Sequence, residues 1–383
     1  EAARVSGAGT FQTLRKITVP LLMPAIAYSA VLNFTVALEL LAIPLVFGEP
    51  AGIMVLTTFL YSQGVAGIKP DHGLTATAAA LFLVIICFLV WLQTRLLGNT
   101  RRFVTLSGKA TRPRLFQLGK WRWILFISTV SYIFISVIAP IGVLLLRAFS
   151  SMLSPMVPLI EVLTLSNFEA LFSEPIYSRS VWNSLLVSTV AGLLGTLLIA
   201  LIALVVHRSE FRFRDLLHYV ALFPRAVPGV VAGIGFFYAV AALPDLGGIR
   251  NTIWILVIAF TMRYIPAGFG AVAPMLMQVS QDLDKAARVT GADWWTACSR
   301  ILIPLMRPAL VACFTLLFIS CFKEYATAIF IFAPGSEVIG TSLLHLWIQG
   351  EAGLVAALAA IQIIVVGVCV TVARAIFGVK LYG

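Results

Sequence analysis

Five ionisable side chains interrupt long apolar runs in this sequence: Glu39, Arg225, Arg263, Lys323 and Glu324. A charge in such a run is costly unless it is paired or wetted, so each must face a packed interior or an aqueous path. Two chemistries fit. Glu39 and Glu324 hold near-equivalent places in two repeats, one residue out of register, and carboxylates lining a path would attract a cation. Alternatively the charges pair structurally, Glu324 with Arg263 for example, or reach an interface along their stems. Lys323 beside Glu324 argues against a dedicated cation site. Other reactive side chains are scattered. Cys87, Cys298, Cys313, Cys321 and Cys369 have neither disulfide nor zinc spacing, and His72, His207, His218 and His345 are isolated. No cluster or nucleophile pattern supports catalysis, and no Gly-x4-Gly-Lys-Ser/Thr loop occurs. The chain is therefore read as a non-enzyme, without a metal, a cofactor or an ATPase of its own.

These residues sit in elements set by composition. Of 383 residues, 60% are hydrophobic and 11% charged, against about 45–50% and about 25% in soluble domains. That balance excludes soluble, disordered and disulfide-scaffold classes. A helix needs about 20 apolar residues to cross a bilayer, and eight runs qualify: 23–47, 74–94, 123–146, 184–206, 216–240, 251–272, 309–332 and 354–373. Pro224, Arg225, Pro228 and Gly229 interrupt the fifth, which predicts a kink or two half-helices. The expectation is an all-α polytopic membrane bundle of about eight spans. With both ends cytoplasmic, 20 of the 27 Lys and Arg fall on the cytoplasmic side, four outside and three within spans, a strong positive-inside bias. The basic segment 95–122 carries eight Lys or Arg and no acid. It reads as a cytoplasmic linker held at anionic lipid, not as a nucleic-acid site.

The chain repeats itself. Residues 1–25 and 285–309 share 11 identities in 25 ungapped positions, roughly four times what composition predicts. Gly73-Leu74 with Ala76, Ala79 and Ala80 returns as Gly353-Leu354 with Ala356, Ala359 and Ala360. Each copy reads as a cytoplasmic loop, a span, an outer loop and a final span. Four more spans precede the second copy. The expected division is 1–97, the end of a first repeat with two spans; 98–121, the linker; and 122–383, a second repeat with six spans. The start at Glu1 then reads as a first repeat lacking its leading spans.

Within the repeated loop, near 280–304, Ala286-Ala287-Arg288-Val289 predicts a short helix that Gly291 ends in a left-handed conformation. Trp294 to Leu302 predicts a second helix, stopped by Pro304, with Pro308 opening the next span. Two helices at a bend suit either docking into a partner's groove or resting on headgroups.

Both loops resemble the EAA motif of permease subunits of binding-protein-dependent ABC importers. Glu1-Ala2-Ala3, Gly7, Ile17, Val19 and Pro20 fit the motif fully. Ala286-Ala287, Gly291, Ile301, Ile303 and Pro304 fit it again, with Lys285 in place of the usual Glu and Asp284 beside it. The stretch Leu163 to Phe168, Trp182-Asn183-Ser184 and Pro224 with Pro228-Gly229 are similar to the same family. Lys323 to Thr327 and Ala333 to Glu337 resemble its fused two-half iron(III) branch, whose relatives handle polyamines, thiamine or phosphonates. The resemblance implies an inner-membrane subunit whose two loops seat in separate ATPase subunits. Substrate would arrive from a solute-binding protein at the outer loops 48–72, 147–183, 241–251 and 333–353. A secondary transporter or channel with internal repeats is the competing reading.

Overall fold

The computed structural model describes residues 7, 9–67, 69–97, 119, 121–243, 247–280 and 282–377. It is helical throughout, its extended pairing among the described residues being one isolated bridge, Ser150 to Leu163. The chain forms two compact units, Glu1–Phe126 and Ile127–Gly383. Among the described residues five helices are long and apolar enough to cross a membrane, and three sharply bent pairs raise the number to as many as eight.

In the second unit, Pro175–Arg208, Trp254–Gln278 and Arg307–Phe322 pack side by side as the centre of the bundle. The core they share carries Ile199, Ala203, Phe269, Leu276, Cys313 and Leu317, all essentially excluded from solvent. Ala352–Phe377 lies against Arg307–Phe322, and its small residues Ala356, Ala357 and Ala360 close on Ala148 at the end of the Trp121–Ala148 span. Alanines at helical spacing let the two backbones approach, as small residues do between membrane helices. The Leu163 to Phe168 stretch closes the same corner. Asn167 Nδ2 donates to Ala148 O at 3.0 Å and Ser150 O at 2.9 Å, carbonyls left without helical partners where the span ends.

Three predicted spans take a different form. The first, 23–47, is a helix over Val19–Leu38 that stops before Glu39. Pro44–Ala51 and Leu56–Ala66 then follow at 92° to each other. At 1.5 Å per residue these pieces are about 12 and about 17 Å long, so neither alone crosses about 30 Å of hydrocarbon. The seventh, 309–332, ends at Phe322, with an irregular stretch before the one-turn helix Ala328–Ile331. The fifth divides into Arg214–Ala226 and Gly229–Ala242, bent by 109°. Pro228 is the hinge, since it withholds a helical N–H and its φ of −57° with ψ of 149° is not helical. Hydropathy alone merges such pieces, because one or two charges at a break do not lower the average of a long apolar window below that of a span.

The repeat is structural as well as sequential. Val19–Leu38 and Arg307–Phe322 both end at a break 284 positions apart. Leu40 N donates to Ala37 O at 3.3 Å, and Glu324 N to Cys321 O at 3.1 Å. Next, Val55 N bonds the Thr58 hydroxyl and Val338 N the Thr341 hydroxyl, each at 3.0 Å, to open the following helix. This alignment pairs Glu39 with Lys323 and Leu40 with Glu324, so the two carboxylates are not equivalent.

Candidate functional site: the repeated loop and the buried charge pair

The loop near 280–304 is built from its own backbone outward. Asp282–Val289 is helical, and Gly291 follows with φ +86°. Ala292 N then reaches back to Ala287 O at 3.0 Å, the bond of a Schellman turn. Gly7, 284 positions earlier, has φ +80°, so the first copy turns in the same sense. Asp293 caps the second helix, its Oδ1 accepting from Thr296 N at 2.9 Å. The Thr296 side chain and then its backbone N–H hold the Asp293 carboxyl below the usual carboxylate range.

The second helix runs Trp294–Leu305, three residues beyond the expected stop. Pro304 does not end it, because Cys298–Leu302 is wound as a π-helix and Ile303 N bonds Cys298 O, five residues back. The widened turn moves the carbonyl that a proline ring would otherwise strike. The same device precedes Pro20, where Val19 N bonds Leu14 O, and Pro140, where Ala139 N bonds Phe134 O. The bend falls instead at Met306, with Arg307–Phe322 leaving at 71°.

Two residues outside the motif hold the loop to the bundle. Arg208, at the end of Pro175–Arg208, donates to Leu276 O at 2.7 Å and also to Val279 O. It thereby satisfies carbonyls at the end of Trp254–Gln278, where the helix dipole favours a cation. Trp294 Nε1 donates to Arg208 O at 2.8 Å. By sequence Arg208 was one more cytoplasmic charge; only the fold gives it these partners. Of the two motif alanines, Ala287 is buried and Ala286 exposed. Val289 is 88% and Trp295 55% exposed, an apolar face presented away from the core. Ile301 and Pro304 are half-buried, and Lys285 has its backbone in the first helix. In the first copy Ile17 and Pro20 are exposed, while Glu1, Ala2 and Ala3 lie outside the described residues.

Of the five intramembrane charges, the fold brings two together. Arg263 Nε lies 3.4 Å from Glu324 Oε2, with side chains 16% and 6% exposed. Glu324 also accepts from the Tyr264 hydroxyl and, through Oε1, from Thr327 N at 2.9 Å. The carboxylate thus joins the middle of one helix to the break after another. The Pro228 hinge closes the third side: a Cβ on Gly229 would stand 2.7 Å from the Arg263 guanidinium. Tyr264 and Gly229 carried no sequence signal of this role. Arg225 and Lys323 are exposed and Glu39 is half-buried.

At the far end of the bundle Arg179 Nε lies 3.1 Å from Glu337 Oε2. Asn183 Nδ2 donates to Gly335 O at 3.0 Å and Glu337 O at 2.9 Å, and the Ser184 hydroxyl accepts from Ile339 N at 2.7 Å. The Trp182-Asn183-Ser184 motif is therefore a clamp on the 333–339 loop. Partial burial pushes the Glu337 carboxyl up, but the Gly335 and Glu337 backbone N–H groups and the Arg179 guanidinium hold it below the usual range.

These features can be set beside known proteins. The sequence pattern of the family described as "Binding-protein-dependent transport system inner membrane component" matches residues 1–102 and 195–380. A protein described as "Putative ferric transport system permease protein FbpB 1" from Haemophilus influenzae is 28% identical over 343 residues, 88% of this chain and 52% of its own length. "Ferric transport system permease protein FbpB" from Actinobacillus pleuropneumoniae is 27% identical over 369 residues, 95% of this chain and 52% of its own. The chain thus spans about half the length of these relatives. "Putative 2-aminoethylphosphonate transport system permease protein PhnV" of Salmonella paratyphi A is 25% identical over 217 residues, 55% of this chain and 78% of its own. In fold, the chain is similar to one from a bacterial alginate ABC transporter in complex with a periplasmic protein bound to alginate pentasaccharide. The TM-score is 0.54 at 18% identity, over 67% of this chain and 93% of that one. A loop repeated 284 positions apart with its left-handed glycine and π-wound proline, apolar spans, and a family pattern over most of the sequence agree: this multi-pass chain belongs to the binding-protein-dependent transport system inner-membrane components.

Proposed function

We propose that this chain is part of the translocation subunit of an ABC importer for iron(III), which a solute-binding protein delivers and separate ATPase subunits drive. The observation that carries the reading is the Asp282–Leu305 loop. It is braced from behind by Arg208 and Trp294, turned by Gly291, and presents Val289 and Trp295 outward. A rigid helical elbow with an exposed apolar face is what a groove on a moving partner can grip. Lys285, Ala286, Gly291, Ile301 and Pro304 shape this elbow, and Glu1, Ala2, Ala3, Gly7, Ile17 and Pro20 are proposed to shape its first copy. Both ends of the chain are then cytoplasmic, in keeping with the charge bias. The substrate rests on the relatives named ferric transport permeases.

The five charges divide under this reading. Arg263 and Glu324 tie two helices together, whereas Glu39, Arg225 and Lys323, which are half-buried or exposed, are proposed to face the path. The test is co-purification and uptake. Ala286→Glu is expected to lose the ATPase subunit and uptake of radiolabelled ferric iron while the membrane bundle stays folded. Retention of both would sink the assignment of the loop. Normal ATPase recruitment with uptake of 2-aminoethylphosphonate but not iron would keep the importer and replace the substrate.

A further inference from the structure

Opposite the Asp282–Leu305 loop, at the other end of Trp254–Gln278, a cavity of about 220 Å³ opens between the Gly247–Arg250 turn and the 330–334 segment. Phe237, Ile255, Phe330 and Phe332 form its apolar wall, and Arg250 and Asn251 stand at its polar edge. The Arg250 guanidinium lies 5.2 Å from the centre of the Phe237 ring. A cation seated on an aromatic face keeps its in-plane N–H groups available, and those donors match the paired oxygens of a phosphate.

The depth of the site says what covers it. Trp254 begins a 25-residue helix, about 37 Å at 1.5 Å per residue and so longer than the hydrocarbon core. Trp254 is 52% exposed, and Ile258, one turn further in on the same face, is also exposed. An exposed Trp above an exposed aliphatic stripe marks the boundary between headgroups and hydrocarbon. Arg250 lies one turn outside that mark, at the level of lipid phosphates. Leu243, before the cavity, is exposed and apolar as well.

We propose that this cavity is a binding site for one anionic phospholipid, with its phosphate on Arg250 and Asn251 and the start of an acyl chain against Phe237 and Phe332. The lipid ties the turn before Trp254–Gln278 to the segment after Ala328–Ile331.

The experiment is native mass spectrometry of the full transporter complex released from nanodiscs of equal phosphatidylglycerol and phosphatidylcholine. The expected result is a retained phosphatidylglycerol adduct that falls at least fivefold in Arg250→Gln, recovers in Arg250→Lys, and leaves phosphatidylcholine retention unchanged. An unfolding midpoint equal to that of the parent shows that the variant is folded. An unchanged lipid ratio in Arg250→Gln would overturn the site. Displacement of the adduct by millimolar glycerol phosphate would also overturn it, since a soluble anion needs no acyl chain. So would lipid retention unaffected by Arg250→Gln together with lost binding of the solute-binding protein, which would assign the cavity to that partner.

Discussion

Glu324 offers the sharpest test, because its two readings predict opposite behaviour. The carboxylate is 6% exposed, pairs with the Arg263 guanidinium and accepts from the Tyr264 hydroxyl and Thr327 N. Glu324→Ala leaves the Tyr264 hydroxyl and Thr327 N without their acceptor and strands a guanidinium that is 16% exposed. Breaking a buried pair from one side costs about 3–5 kcal/mol, most of it the desolvation of the charge left behind. Glu324→Gln keeps an acceptor for Tyr264 and Thr327 but still strands Arg263, and should cost about 3 kcal/mol, the lower end of that range. The pair replaced on both sides, Arg263→Met with Glu324→Gln, leaves no unpaired charge. Neutral replacement of a buried pair is often neutral or stabilising, so the double variant should recover most of the loss. The resulting coupling energy should be about 2 kcal/mol or more, within the range for contacting residues.

The chain supplies its own reporter. Cys298, Cys313 and Cys321 are buried in the same unit as the pair, so a thiol-reactive dye reports its unfolding directly. At about 2–4 °C per kcal/mol for a domain near this size, Glu324→Ala should lower the midpoint by about 6–20 °C. The double variant should lie within a few degrees of the parent. If the single losses simply add in the double variant, the pair is not a structural tie. If Glu324→Ala unfolds at the parent temperature but abolishes transport, the carboxylate lines the path and the structural reading fails.

Three further outcomes follow from the loop and the outer clamp. Gly291→Ala keeps open space around the new Cβ but forces an L-residue to φ +86°; it should cost about 1–2 kcal/mol locally, read as faster hydrogen exchange over 282–297 with the spans unchanged. The Asp293 carboxyl is held low by its Thr296 bond, so its cap is complete above the unfolded carboxylate pKa of about 3.9 and weakens as pH falls through the lower folded value. Asp293→Asn should keep the cap and abolish that acid dependence, and an acid profile identical to the parent's would refute this assignment. The Arg179–Glu337 clamp has the same sign: its contribution is present above about pH 4.3 and fades as acid protonates Glu337 below that. Glu337→Gln should cost about 0.2–1 kcal/mol at neutral pH and flatten the acid limb of outer-loop proteolysis.

How much of this was legible in the sequence depended on the kind of signal. The spans at 74–94, 123–146, 184–206 and 354–373 are continuous apolar runs, and each lies within an uninterrupted helical stretch. The left-handed turn at Gly291 was legible because glycine before a second helical segment has few other uses. The breaks after Leu38 and Phe322 were not, since Glu39 and Lys323-Glu324 read as isolated charges within apolar runs that continue past them. Pro304 misled for a local reason. A proline ends a helix only if the preceding turn is α-wound, and here it is π-wound. The braces Arg208 and Trp294 were silent because their partners are backbone carbonyls 68 and 86 residues away along the chain.

The structural register of the repeat bears on the buried pair itself. Two carboxylates in equivalent places would favour a symmetric cation path, a feature kept in both copies because both line the same passage. Alignment through the helix breaks instead sets Glu39 opposite Lys323 and Leu40 opposite Glu324. What the copies share is backbone: the break, the hydroxyl-capped helix after it, the π-turn before the proline and the left-handed glycine. What they do not share is charge. At the position of Glu324 the first copy has Leu40, whose carbonyl accepts from the Thr57 hydroxyl at 2.8 Å. The irregular backbone after the break is thus held by a side-chain hydroxyl in one copy and by a carboxylate with an arginine in the other. Two different solutions to the same problem of unsatisfied backbone are what divergence produces when the constraint is structural. A residue selected for contact with substrate would have no such substitute.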